Sequence, residues 1–153
     1  MAERLVLAAD HGGFDLKKEL SDGLREAGYA VSDIGTAKNV ACDYPDFAHA
    51  AAQGVLSGRY DRAILICGTG VGMAVTANRY RGIRAVNCSD VFTARYSRVH
   101  NDANVLTLGG RVLGFGLAWE IVNAWLATPF GGDSRHLRRL GKIEEGVHGL
   151  RRP

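Results

Sequence analysis

Five short, nearly unbroken apolar runs divide the chain, and between them apolar residues recur at three- and four-residue spacing. The first run, Leu5-Val6-Leu7-Ala8-Ala9, shows no alternation, the mark of a strand buried on both faces. Asp10-His11-Gly12-Gly13 ends it. Phe14, Leu16, Leu20 and Leu24 then repeat at helical spacing, and Gly28 supplies a C-terminal stop. Residues 29–34 read as a second strand and residues 35–45 as a loop. A helix follows over 46–57, with Asp46 as its cap. Residues 63–66 form a third strand that leads into Cys67-Gly68-Thr69-Gly70-Val71-Gly72. Helical spacing resumes over 71–80, a fourth strand covers 83–87, and a fourth helix covers 90–99. His100-Asn101-Asp102-Ala103-Asn104 reads as a polar loop before a fifth strand at 105–108. A strongly apolar helix over 113–127 and a basic amphipathic helix over 134–146 complete the pattern.

Strand and helix alternate five times through short connections. This predicts an α/β fold, a three-layer doubly wound sandwich around a five-stranded parallel sheet, Rossmann-like, with an extra C-terminal helix. No repeat or linker interrupts it, so residues 1–153 read as a single domain, a size that can bury a sizeable core. The extra helix has no strand to follow and is free to pack on a second subunit. In such folds ligands sit beyond the C-terminal ends of the strands. That edge is expected to carry Asp10-His11, Cys67-Gly68-Thr69, Cys88-Ser89-Asp90 and Gly109-Gly110-Arg111.

Composition narrows the classes. The 20 glycines mostly follow apolar runs, which points to tight strand-to-helix turns and not to low complexity. A net charge of +3 is mild and gathers in Arg135, Arg138, Arg139, Lys142, Arg151 and Arg152. It lacks the dense patch with interleaved aromatics that nucleic acid demands, and suits a small anion instead. Cys42, Cys67 and Cys88 are odd in number and form no C-x-x-C pair, against both a disulfide framework and a zinc site. No signal-peptide pattern opens the sequence and no apolar run is long enough to span a membrane. The expectation is a cytoplasmic protein with reduced thiols. Nucleotide motifs fail as well. D-H-G-G and G-T-G-V-G do not match G-x-G-x-x-G, and there is no Walker lysine. Met73 stands where a phosphatase loop would need arginine.

The chemistry concentrates at residues 64–74. Glycines at 68, 70 and 72 make a turn that aims backbone N–H groups and a helix N-terminus at one small space. Cys67 sits at its rim, where the helix N-terminus favours the thiolate. Cys42 and Cys88 lack such a nest and read as structural. His11 opens a turn after a strand, a place suited to an anion, and Asp10 fits an N-cap as well as a ligand. Arg135 and Arg139, four apart, share a helix face and can clamp a phosphate, whereas Arg138 points elsewhere. Alone, His100 is ambiguous. His49, His136 and His148 look unremarkable, and Glu144 and Glu145 read as surface.

Six ordered motifs tie these residues together: A-A-D-H-G-G at 8–13, D-Y-P at 43–45, I-L-I-C-G-T-G-V-G at 64–72, A-N-R-Y-R-G-I-R-A at 77–85, H-N-D-A-N-V-L at 100–106 and G-G-R-V at 109–112. The chain resembles the ribose-5-phosphate isomerase B family, within the RpiB/LacAB group of sugar-phosphate isomerases, from Leu5 to about Arg139. The family often has G-G-R-H before its paired arginines where this chain reads G-G-D-S-R-H-L-R-R. The register that keeps Arg135 and Arg139 leaves Arg138 as a substitute for the latter.

The resemblance implies aldose–ketose isomerisation of a phosphorylated sugar, with no metal, no nucleotide and no cofactor. Cys67 would be the base moving a proton between C1 and C2, with Met73 marking the cysteine-base branch. The N–H groups from Gly68 to Gly72, through Gly70 and Val71, would hold the enediolate oxygen, and Thr69 would relay a hydroxyl proton. His100 would open the sugar ring as general acid, and Asp10 would hold the ring oxygen or a hydroxyl. His11, Arg135 and Arg139 would bind the phosphate, and Tyr44, Asn101 and Arg111 would make further substrate contacts. The family implies a homodimer, or a dimer of dimers, with the site shared and with His100, Asn101 and Arg111 reaching across from the partner. Ribose 5-phosphate and ribulose 5-phosphate are the first expectation. The alternatives are allose 6-phosphate, galactose 6-phosphate, a four-carbon erythrulose phosphate, or a non-catalytic sugar-phosphate sensor.

Overall fold

The structure, a computed structural model, describes residues 3–145. Five parallel strands form one sheet in the order β2-β1-β3-β5-β4: β1 Arg4–Ala9, β2 Ala30–Asp33, β3 Arg62–Cys67, β4 Ala85–Asn87 and β5 Val105–Gly109. The helices are α1 Phe14–Glu26, α2 Tyr44–Leu56, α3 Val71–Ala77, α4 Val91–Asn101, α5 Phe115–Ala127 and α6 Ser134–Glu145. The expected α/β sandwich is therefore the fold.

The unbroken apolar strands are explained by two cores. Leu5, Leu7, Ile64, Ile66, Leu106 and Leu108 face one side and pack against Leu16, Leu20 and Leu24 of α1 and Ile121, Val122 and Trp125 of α5. Val6, Ala8, Ala63, Leu65, Cys67 and Val105 face the other, against Ala48, Ala51 and Ala52 of α2 and Met73 and Ala77 of α3. Successive strand residues point to opposite faces, so a strand covered on both sides must be apolar throughout. The helix sides follow the direction of travel. β1 to β2 and β4 to β5 run one way across the sheet with α1 and α4 on one face, whereas β2 to β3 and β3 to β4 run the other way with α2 and α3 opposite. A uniform crossover hand requires this switch.

Several boundaries differ from the expected ones; α3 ends at Ala77, not residue 80, and β4 begins at Ala85, not residue 83. α2 begins at Tyr44, not Asp46, because Pro45 fits the first helical turn, where its missing N–H costs nothing. Asp46 then lies in the first turn, and no side chain caps the helix. α5 begins at Phe115, two residues later than expected, after Gly114 in an extended conformation. α4 runs on through His100 and Asn101, so the polar loop starts only at Asp102. His148, Arg151 and Arg152 lie outside the described residues.

Candidate active site

The direction of strand order reverses between β1 and β3, and their C-terminal ends carry Asp10 and Cys67 side by side. Two turns meet there. A Cβ on Gly12 would come within 2.9 Å of the Gly68 nitrogen, and one on Gly13 within 2.7 Å of the Ile66 carbonyl. The glycines of the first motif therefore let it lie against the third. Asp10 is buried and its Oδ1 accepts from the Gly12 N–H at 2.9 Å, so it caps the short 3-10 turn His11–Gly13.

Gly70 has φ +81°, and a Cβ there would fall 2.3 Å from Asn87 Oδ1 and 2.8 Å from the Leu108 carbonyl carbon. Only glycine meets both demands at once. Its N–H turns inward and donates to Cys67 Sγ at 3.1 Å, and Cys67 is 5% exposed. The sulfur is thus held as an acceptor at the rim of the loop. Among the described residues, the Gly68 and Thr69 N–H groups find no backbone acceptor, and the Gly72 N–H, in the first turn of α3, has no intrahelical one. Thr69 is exposed, with its Oγ1 accepting from the Val71 N–H at 3.4 Å.

Neighbouring elements complete this half of the site. A Cβ on Gly72 would meet the Tyr44 ring at 2.7 Å, so the D-Y-P segment lies directly on the loop. Arg111 donates its N–H to the Gly68 carbonyl at 3.0 Å, and its guanidinium lies over Gly68. It belongs to this edge in its own chain, where the resemblance had implied a reach from the partner. His11 Nδ1 accepts from the Cys42 N–H at 3.3 Å, which puts the proton of the neutral ring on Nε2. Asn87 was missed in the sequence. It donates to the Thr69 carbonyl at 3.2 Å, while its Oδ1 accepts from the buried Thr107 hydroxyl at 3.3 Å. A polar residue closing a strand on the ligand edge was the available signal. Cys88, read as structural in the sequence, is buried: burial, and then the nearby Asp90 charge, push its thiol up to about 12.

His100 and Asn101 are not on this edge. α4 ends at the start of β5, so they lie at the N-terminal ends of the strands. β5 has five residues, and at about 3.3 Å each it separates them from Cys67 by roughly 17 Å or more. Asp102, at φ 44°, ends α4 and takes Arg84 at 2.9 Å and Arg98 at 2.8 Å. α6 crosses the same edge and carries Arg135 and Arg139. His136, expected to be unremarkable, is 5% exposed and stacks on His100 with centroids 4.4 Å apart and planes at 18°. The reason is tertiary: the Gly131 N–H donates to the Val99 carbonyl at 3.2 Å, which tucks the start of α6 under the end of α4. Arg138 and Arg139 are exposed. His49 is exposed and hydrogen-bonds Tyr80 at 2.8 Å.

One chain therefore carries two clusters on opposite edges. The first holds the Cys67 sulfur, a nest of amides, Asp10, His11, Tyr44 and Arg111. The second holds an imidazole pair and two arginines. Among the described residues, no group of three or more His, Cys, Asp or Glu is placed to hold a metal, and no helix is long and apolar enough to cross a membrane.

Residues 5–143 match the model of the ribose/galactose isomerase family. The chain belongs to that family. This isomerase is 46% identical over 92% of its length to ribose-5-phosphate isomerase B of Escherichia coli, covering 94% of that protein. It is 39% identical over 92% of its length to D-erythrulose-4-phosphate isomerase of Pectobacterium atrosepticum, again covering 94%. Among solved structures it is similar to ribose-5-phosphate isomerase B of Clostridium thermocellum, at 50% identity and a TM-score of 0.91, over 93% of this chain and 95% of that one. The aldose–ketose isomerase expected from the motifs is thus the enzyme class of the chain.

Proposed function

We propose that this isomerase interconverts ribose 5-phosphate and ribulose 5-phosphate through an enediolate, with two copies of the chain sharing each site. The observation that carries the reading is the Gly70 N–H aimed at Cys67 Sγ inside a glycine loop with further amides unclaimed. A C–H beside a carbonyl is a weak acid, and deprotonation leaves charge on oxygen. The reaction therefore needs a base next to a preorganised oxyanion site. Cys67 takes the proton from one carbon and returns it to its neighbour. The loop amides left unclaimed, those of Gly68, Thr69 and Gly72, hold the oxygen that gains charge, and the Thr69 hydroxyl passes the proton between the two oxygens. Asp10 accepts from a sugar hydroxyl, and Tyr44 and Arg111 line the substrate.

The aldose is a closed ring in solution and must open first. His100 supplies that acid, and Arg135 and Arg139 grip the phosphate together with His11. His100, Arg135 and Arg139 stand on the edge opposite Cys67 and His11, which supports a homodimer in which one copy's Cys67 edge faces the other's His100 edge. The assay that tests the reading offers four-, five- and six-carbon sugar phosphates and follows aldose–ketose conversion. Fastest turnover of ribose 5-phosphate is expected. The relative acting on D-erythrulose 4-phosphate gives the second reading, and preference for the four-carbon substrate would establish it in place of the first. Binding without turnover of any substrate would leave a sensor.

A further inference from the structure

His136 has no part in the proposed chemistry, yet it packs against His100. The rings lie 4.4 Å apart and 18° from parallel, and Tyr96, one turn earlier on α4, also contacts the His100 ring at 4.9 Å and 53°. His136 is nine-tenths buried, whereas His100 is only partly so. Arg135 Nε–H donates to His136 Nε2 at 3.4 Å, and that bond needs a lone pair on the ring. A neutral His136 with its proton on Nδ1 satisfies it. The surroundings agree. Burial lowers the His136 pKa, and His100, Arg135 and Arg139 push the same way against the weaker opposite pull of Asp133. Imidazoles this close do not both carry charge readily.

Resting on the proposed function, we infer that His136 is a positioning residue that fixes the plane of the ring-opening His100 and ties it to the phosphate-binding Arg135. One buried ring thereby sets the spacing between the group that grips the phosphate and the group that opens the sugar. A ring in contact with both His136 and Tyr96 has little freedom to turn. Loss of the stack releases it, and loss of Nε2 releases Arg135 alone.

Two variants separate these effects. His136→Ala removes the stack and the tie, and His136→Phe keeps a flat ring but no acceptor. Three readouts are taken on the purified protein, with circular dichroism as the check of folding. They are kcat on ribose 5-phosphate, deuterium uptake from D2O at C1 of ribulose 5-phosphate, and the inhibition constant of inorganic phosphate. Ribulose 5-phosphate has no free hydroxyl placed to close a five-membered ring, so its exchange reports Cys67 chemistry alone. His136→Ala is expected to lower kcat on ribose 5-phosphate about tenfold, with exchange within about twofold of the parent and phosphate inhibition weakened. His136→Phe should restore most of kcat but not the phosphate inhibition. Equal losses of kcat and exchange, or no recovery in His136→Phe, would overturn the inference. Absence of any conversion by the parent protein would instead overturn the function on which it rests.

Discussion

At the residue scale, Cys67 owes its role to the main chain around it. Gly70 can point its N–H at the sulfur only because φ +81° is open to it, and Asn87 and Leu108 leave no room for a side chain. Cys67→Ala removes the proposed base and leaves the loop in place. Turnover should fall by about 10²–10⁴-fold, while thermal stability and phosphate inhibition stay near the parent values; retained turnover in the isomerase assay would remove Cys67 from the mechanism. His136 makes a second expectation. Its folded pKa is lowered, so below the ordinary histidine value of about 6.5 the unfolded chain binds a proton that the folded one refuses. Its contribution is fully present above that pH and is lost as pH falls through the window beneath it. Urea melts between pH 8 and pH 5 should show stability dropping on the acid side, and His136→Phe should flatten that part of the curve. Cys67, Asp10 and the glycines were legible because each sits at a fixed offset from an apolar run. His136 and Asn87 were not, because their partners, His100 and Thr107, are brought to them only by tertiary packing.

At the element scale, the strands were the most legible parts, since burial on both faces leaves a continuous apolar signature. Helix ends were less so. The sequence of α4 turns polar at His100, but Arg84 carries the helix on by donating to the Asn101 carbonyl at 3.0 Å and the Asp102 carbonyl at 2.9 Å. Orphan carbonyls at a helix end need such donors. Asn104 completes the joint, donating to the Gly82 carbonyl and accepting from the Arg84 N–H, both at 2.8 Å. The motifs at 77–85 and 100–106 are thus two halves of one clamp. Arg84→Ala should destabilise by about 2–3 kcal/mol, because Asp102 keeps only Arg98 and two carbonyls lose their donor. It should also lower kcat on ribose 5-phosphate by more than it lowers C1 exchange in ribulose 5-phosphate, since the freed turn carries His100. A kcat at the parent level in a destabilised variant would confine Arg84 to stability.

At the scale of the whole molecule, the four segments expected on the C-terminal sheet edge all lie there, whereas His100 and α6 lie on the other. Sequence order hid the second group: α4 returns to the N-terminal edge before β5, and α6 stays there. A strand's length then stands between Cys67 and His100 in any single chain, and the proposed shared site closes that gap with a second copy. If each site takes Cys67 from one chain and His100 from the other, two inactive proteins should repair each other. A mixed dimer of Cys67→Ala with His100→Ala has one site bearing both substitutions and one bearing neither. Random reassortment makes half of the dimers mixed, and each has one good site of two, so about a quarter of the parent rate should return. A site built within one chain would leave every site with one defect and restore nothing. Co-refolding the two variants, with each alone as the control, therefore separates a shared site from a private one without a structure of the complex.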